Sequence, residues 1–367
     1  MKRPVLYIGH YKDGTGWGDA AQNNILALHA AGVEVRPRAI TFENKEEYSC
    51  HPVIESLESG STARADVVIQ HTLPSCYVYD GRFYNIGCFT TESSDFRSTG
   101  WQHNMNMMDE IWVPTCQARN SCVLSGVTTK ISVVPYGIGK VEVDPSGEKI
   151  KELNENFTFG FVGEFIERKN VKALIKAFHM AFEPHEPVNL FIKTSKSDLS
   201  SVHKYIQHIK NGMKIRKNYK EEVVIAGMMA KKDYYSVLSQ VDCFVMPSRG
   251  ESPCIPAMEA LSLGIPVMRT SGIGMDYTQD LNKVYPSHVN SYDVPCFGAV
   301  DTLPDLDTSA STWKEIDVID LGSKMRLAVS KVLRYKKPAV DAVIDEIAQS
   351  FTLESVGIKM KEVLDAR

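Results

Sequence analysis

Asp242-Cys243-Phe244-Val245-Met246-Pro247 runs into Ser248-Arg249-Gly250-Glu251-Ser252-Pro253-Cys254-Ile255 and then into Pro256-Ala257-Met258-Glu259-Ala260. The first segment is mostly apolar and ends at a proline, which reads as a buried strand. Pro256 suits the first position of a helix, because the N–H it lacks is one that a helix start leaves unpaired. The predicted helix is Pro256–Leu263. Strand, polar turn and helix in this order form a βα unit, and the same alternation recurs on both sides of it.

Upstream, Val5–Ile8, Val33–Arg38, Asp66–Ile69, Tyr84–Phe89, Ile111–Pro114 and Ile131–Pro135 read as strands, with a helix over Asp19–Ala31. The alternation restarts at Thr158–Val162 and continues through Asn189–Lys193, Glu222–Ala226, Asp242–Pro247 and Pro266–Thr270. Helices are predicted near Val171–Phe182 and Lys232–Gln240. Such repetition implies doubly wound parallel sheets, and here two of them. A length of 367 residues agrees, at about 150 residues per domain. Gly137, Gly139, Pro145 and Gly147 mark the break between them. The predicted division is a first Rossmann-like domain over 1–138, a linker over 139–156 and a second Rossmann-like domain over 157–340. Helices over 341–367 follow, which could cross back to the first domain.

Composition narrows the function. Lys+Arg number 41 and Asp+Glu 45, a net charge of −4. That balance gives no basic footprint and argues against a nucleic-acid binder. Hydrophobic content of 43% and charged content of 23% are globular values, which exclude wholesale disorder. The apolar run at Val5–Ile8 is shorter than the roughly 7–15 residues of a signal peptide, and no stretch approaches the roughly 20 of a membrane span. The eight cysteines are scattered, with no Cys-x-x-Cys pair. Scattered thiols suit a reducing compartment, so a cytoplasmic protein with at most peripheral membrane contact is expected. His203 and His208 do not share a helix face, and no metal site is read there.

Ligands of open parallel sheets bind beyond the carboxyl ends of the strands, so the motifs there matter most. Asp13-Gly14-Thr15-Gly16-Trp17-Gly18-Asp19 follows the first strand. It is either an ordinary turn or a loop whose amides face a phosphate or sugar. It lacks the Gly-Lys-Ser/Thr of a Walker loop. Gly163-Glu164-Phe165-Ile166-Glu167-Arg168-Lys169-Asn170 follows the first strand of the second domain. The adjacent Arg168 and Lys169 are either solvated cations or a pair that neutralises a diphosphate. In the opening stretch, Glu251 lies in the loop and Glu259 in the first helical turn. They can accept hydroxyl hydrogen bonds at two ends of one long ligand, with an anion held at the amides of Cys254 and Ile255. Alternatively, Glu259 merely complements the helix dipole.

Glu251 and Glu259 form Glu-x7-Glu after a strand ending in Pro-Ser, with Gly163-x5-Lys169 upstream and a glycine loop at the start. Together they resemble the retaining nucleotide-sugar glycosyltransferases of family 4, which have the GT-B fold. Asp109–Thr115 and Val133–Ile138 are similar to two further segments of that family, so the likeness spans nearly the whole chain. The resemblance implies two Rossmann-like domains facing across a cleft. It implies transfer of a hexose from a nucleoside-diphosphate sugar to a hydroxyl acceptor, in glycan or glycoconjugate synthesis. GDP-mannose is preferred slightly on the family's membership, and a UDP-sugar stays open. The acceptor would be a glycan, a lipid-linked sugar or a small molecule.

Carried over, the resemblance puts donor-sugar hydroxyls on Glu251 and ribose on Glu259. It puts the sugar or diphosphate on Cys254 and Ile255, the diphosphate on Arg168 and Lys169, and the base along Gly227 and Met228, with Gly163 a further donor-binding residue. Gly14, Thr15, Gly16, Trp17 and Gly18 would close over the diphosphate. No cofactor or metal is expected, since fixed cations take the metal's place and no Asp-x-Asp lies near a predicted strand end. Two departures stand out. Glu164 occupies a place where the family often has Arg, with Arg168 a candidate to take over its charge. Glu92 falls where an acceptor-side histidine is common, which leaves His71 as the nearest strand-end histidine. Glu251, Arg168, Lys169, His71 and Glu92 are therefore the catalytic candidates. The rival readings are an NAD-dependent oxidoreductase built on the glycine loop and Glu34, and a sugar-nucleotide or glycan-binding protein without turnover.

Overall fold

A computed structural model describes residues 4–40, 50–147, 149–195, 198–215, 218–296, 311–334 and 337–367. The chain divides into two compact units. One comprises Met1–Lys140, Val300–Thr312 and Gln349–Arg367, the other Val141–Ala299 and Trp313–Ala348.

The first unit contains β1 (Val5–Gly9), α1 (Gly16–Ala30), β2 (Val35–Ala39), α2 (Pro52–Glu58), β3 (Val67–His71), β4 (Tyr84–Cys88), α3 (Trp101–Asn106), β5 (Glu110–Val113), α4 (Cys116–Leu124) and β6 (Lys130–Val133). The strands pair in parallel in the order β2-β1-β3-β4-β5-β6. β3 is buried at every position. That is why it reads as a continuous apolar run until its polar end, Gln70-His71. Phe89, Phe96 and Trp101 pack with ring centroids 5.4, 5.7 and 6.0 Å apart, in one core with Ile111 and Val113 of β5. α1 begins at Gly16, one turn before the predicted Asp19, because the Thr15 hydroxyl accepts the N–H groups of Trp17 and Gly18. The second half of the glycine loop is therefore the helix itself.

The second unit contains α5 (Lys151–Glu155), β7 (Phe157–Val162), α6 (Val171–Ala181), β8 (Val188–Thr194), α7 (Leu199–Met213), β9 (Val223–Ala226), α8 (Lys231–Leu238), β10 (Cys243–Met246), α9 (Ile255–Ser262), β11 (Val267–Thr270) and β12 (His288–Val289). A two-stranded ribbon, β13 (Ser291–Pro295) with β14 (Thr312–Ile316), precedes α10 (Val318–Arg334) and α11 (Lys337–Ser350). The main sheet is parallel, in the order β12-β11-β10-β7-β8-β9. α6 buries Val171, Leu174, Ile175 and Phe178, the spacing of one helix face.

The chain ends in α12 (Leu353–Asp365), separated from α11 where the Thr352 side chain caps the new helix by accepting Ser355 N–H. α12 packs on α1. Gly357 permits the approach, since a Cβ there would run into the Ala27 carbonyl oxygen. In each sheet the strand order reverses once, between β1 and β3 in the first and between β7 and β10 in the second. Those switch points are where open parallel sheets hold ligands. Among the described residues no helix is long and apolar enough to cross a membrane.

Candidate active site

The switch point of the second unit collects most of the expected residues. β7 ends just before Gly163, whose N–H donates to the Lys193 carbonyl at 3.0 Å. A short turn, Glu167–Lys169, follows, and Asn170 takes a left-handed conformation (φ 50°) to start α6. Beside it, the chain leaving β10 passes through Ser248 to Glu251. Arg249 locks the two turns together. Its N–H donates to the Arg168 carbonyl at 2.8 Å and its side chain to the Glu167 carbonyl. Its guanidinium also pairs with Glu315 at 2.5 Å, and Glu315 accepts from Asn170 at 2.9 Å.

Within this frame Lys169 Nζ lies 2.7 Å from Glu251 Oε1, and Arg168 Nη1 lies 3.3 Å from the same oxygen. Arg168 also donates to the Gly250 carbonyl at 2.8 Å. Glu251 is only 3% exposed. Burial disfavours its charge, but the charges of Lys169 and Arg168 and a hydrogen bond from Ser248 outweigh that and hold its carboxyl below the usual range. Both cations are thus engaged by Glu251 in this structure rather than projecting singly. Glu164 points elsewhere, accepting from Thr194 Oγ1 at 2.9 Å and Ser195 N–H at 3.1 Å at the end of β8.

α9 begins at Ile255 and has Pro256 second, so Glu259 stands in the second turn and not the first. It is too far along to complement the helix start as a first-turn acid would. Instead its two oxygens each accept a phenol: Tyr234 Oη at 3.0 Å and Tyr235 Oη at 3.0 Å. Cys254 precedes the helix, and its own side chain makes no capping hydrogen bond. Burial pushes the Cys254 thiol up to about 12, with Glu251 adding to the effect, so the sulfur stays neutral. At the end of β9, Gly227 takes φ +102° and its carbonyl accepts from the buried Lys193 Nζ at 2.8 Å, while the Met228 side chain is 74% exposed.

The switch point of the first unit holds the remaining candidates. Gly14 has φ +66°, and the Asp13 carboxylate accepts both the N–H and the hydroxyl of Thr15. A Cβ at Gly18 would collide with that carboxylate, whereas one at Gly16 would meet nothing within 4 Å among the described residues. The Trp17 ring lies 5.7 Å from the His71 ring, so loop and histidine share one neighbourhood. His71 is buried between two phenols, with Nδ1 2.6 Å from Tyr7 Oη and Nε2 3.2 Å from Tyr136 Oη. Burial, with help from His10, lowers its pKa to about 3, so the ring is neutral. Glu92 is half-buried after β4, near enough to contribute to raising the Tyr136 hydroxyl, behind burial, Cys88 and Tyr77.

Sequence reasoning missed Arg249, Glu315, Tyr234 and Tyr235. The tyrosines are adjacent in sequence, a signal that pointed to nothing without the neighbouring helix. Among the described residues no group of His, Cys, Asp and Glu is arranged to hold a metal ion.

Residues 145–278, which include β7 to β11, the basic pair and both glutamates, match the family model described as glycosyl transferases group 1. A comparison with curated protein sequences finds no significant match. Among solved structures, HepE of Anabaena in complex with UDP-glucose superposes with a TM-score of 0.66 at 11% identity, over 100% of both chains. Sucrose-phosphate synthase from Thermosynechococcus elongatus gives 0.62 at 13% identity, over 100% of this chain and 99% of that one. WaaG, a glycosyltransferase involved in lipopolysaccharide biosynthesis, gives 0.58 at 13%, over 98% and 99%. These likenesses establish the fold as GT-B, two Rossmann-like units with parallel sheets.

Proposed function

We propose that the protein is a retaining hexosyltransferase that uses a nucleoside-diphosphate sugar. The observation that carries the reading is the meeting of Glu251, Lys169 and Arg168 at the β7/β10 switch point, inside the segment matched to glycosyl transferases group 1. A cation pair backed by a buried carboxylate is pre-aimed at an anion that arrives from solvent, and costs no reorganisation when charge develops there. That HepE is known with UDP-glucose supports a nucleotide-sugar donor. GDP-mannose remains the first donor to test beside it, on the likeness to family 4.

In this reading Lys169 and Arg168 hold the diphosphate and Glu251 orients them while accepting a donor-sugar hydroxyl. Glu259 accepts the ribose, and the base lies along Gly227 and Met228. The bond between the anomeric carbon and the diphosphate oxygen breaks, its electron pair leaving with the phosphate. The acceptor hydroxyl attacks from the same face and passes its proton to that phosphate oxygen, which preserves configuration. No metal takes part, because the two cations supply the neutralising charge. In the first unit, the loop Asp13–Gly18 with His71 and Glu92 is a separate candidate contact for a sugar or phosphate. Calorimetry with UDP-glucose, GDP-mannose and NADH, followed by turnover with EDTA present, tests the reading. Binding of a nucleotide sugar and EDTA-resistant transfer support it, and binding of NADH alone contradicts it.

A further inference from the structure

Glu259 projects from the second turn of α9 and is 5% exposed. A buried carboxylate needs partners, and the phenols of Tyr234 and Tyr235 supply them from the middle of α8, one to each oxygen. The two rings are 5.3 Å apart and inclined at 45°, so their hydroxyls reach the carboxylate from two directions. Two donors on two oxygens fix the plane of a carboxylate, where one donor leaves it free to rotate. Burial, with the charge of Glu259 adding to it, pushes the Tyr234 hydroxyl well above its ordinary range, so it stays a donor at any working pH. α8 opens directly after the Gly227 turn at the carboxyl end of β9, so the pair sits on the ligand side of the sheet.

We infer that Tyr234 and Tyr235 are positioning residues that hold the Glu259 carboxylate in one orientation, matched to the vicinal hydroxyls of a ribose, and so make the site select ribonucleotides over 2′-deoxyribonucleotides. This rests on the proposed role of Glu259 in binding the donor nucleotide. A carboxylate in a fixed plane presents the same edge to both hydroxyls of a cis diol at once. Released from its clamp, it rotates to follow whichever hydroxyl is offered, and the second hydroxyl then adds little. The tyrosines therefore act on selectivity for the 2′-hydroxyl more than on affinity as such, which a purely structural pair of phenols does not do.

The test is calorimetric titration of the full-length wild type and the Tyr234→Phe/Tyr235→Phe variant with UDP and GDP and with the 2′-deoxy form of each. Wild type is expected to bind the ribonucleotide about 10- to 100-fold more tightly than its deoxy analogue, the range for a hydrogen bond to a charged group. In the double variant the preference falls to within about threefold, with the deoxy affinity nearly unchanged, since only the second hydroxyl's contribution is lost. Should the double variant not fold, as judged by its thermal transition, Tyr234→Phe alone carries the test, because that ring is only half-buried. If the variant weakens ribo and deoxy forms by the same factor, or keeps the full preference, the tyrosines are structural and the inference is overturned. If wild type binds neither nucleotide, or binds without preference, the role of Glu259 itself fails and takes the inference with it.

Discussion

Lys169 Nζ stands 2.7 Å from Glu251 Oε1 and so joins the turn that follows β7 to the turn that follows β10, the two strands between which the second sheet reverses its order. Arg168 reaches the same oxygen at 3.3 Å, and neither cation is more than one-fifth exposed. The contact is both a tie in the fold and the charged floor of the proposed site.

As a tie, it has a measurable stability. Lys169→Met is expected to cost about 1–3 kcal/mol at pH 7, the range for a hydrogen bond to a charged group, with Arg168 preventing a larger loss. The Glu251 carboxyl is held below the unfolded value of about 4.3, so its contribution is complete above that pH and vanishes as pH falls through the lower folded value. Urea unfolding of both proteins should show a gap at pH 7 that begins to shrink below about pH 4.3 and is smaller at about pH 3. A gap of equal size at both pH values would mean that packing, not charge, supplies it.

The two glutamates are expected to divide the donor between them. Glu259→Gln should weaken sugar nucleotide and free nucleotide alike, by about 1–3 kcal/mol. Glu251→Gln should weaken the sugar nucleotide more than the free nucleotide, which loses only the fixed orientation of Lys169 and Arg168 and no sugar contact. Titration of each variant with both ligands decides this, and equal losses throughout would dissolve the division.

His71 makes the fold acid-sensitive. Its folded pKa is about 3 against about 6.5 when exposed, so the unfolded chain binds a proton that the folded chain refuses. Its contribution is therefore present above about pH 6.5 and is lost progressively as pH falls toward 3, at up to about 1.4 kcal/mol per pH unit. His71→Gln should flatten this part of the stability profile. Unchanged steepness between pH 6.5 and 4 would assign the acid sensitivity to other groups.

Where α12 crosses α1, Gly357 leaves no space for a side chain above the Ala27 carbonyl. Gly357→Ala gains helix propensity of about 1 kcal/mol, yet overpacking costs about 1–3 kcal/mol and more against backbone. Thermal unfolding should therefore show a net loss. A stabilised variant would mean that the two helices separate easily.

Much of the fold was legible because its signals are local. Apolar runs such as Phe157–Val162 and Val188–Thr194 sit between helical stretches, and Gly163 and Glu251 follow strands whose ends are marked by glycine, serine or proline. What was not legible depends on distant packing. Glu315 reaches Asn170 across 145 positions in sequence. That Tyr234 and Tyr235 both reach Glu259 is visible only once α8 and α9 are placed in space, and the turn that holds Glu259 depends on α9 starting at Ile255 rather than at the proline after it. The engagement of Lys169 by Glu251 is equally hidden, since each motif is legible by itself but nothing in their spacing brings them together.

In the proposed function, Arg168 and Lys169 hold a nucleoside diphosphate. Arg168→Ala/Lys169→Ala, with retention of the fold verified by near-ultraviolet circular dichroism, should be titrated calorimetrically beside wild type with UDP, GDP, UDP-glucose and GDP-mannose. Wild type should bind at least one nucleotide and its sugar, and the double variant should lose both by about 100-fold or more, as expected when two charge-assisted contacts are removed. Equal affinity of wild type and folded double variant for the same nucleotide would show that the pair serves only to neutralise Glu251, and the diphosphate site would have to be sought elsewhere.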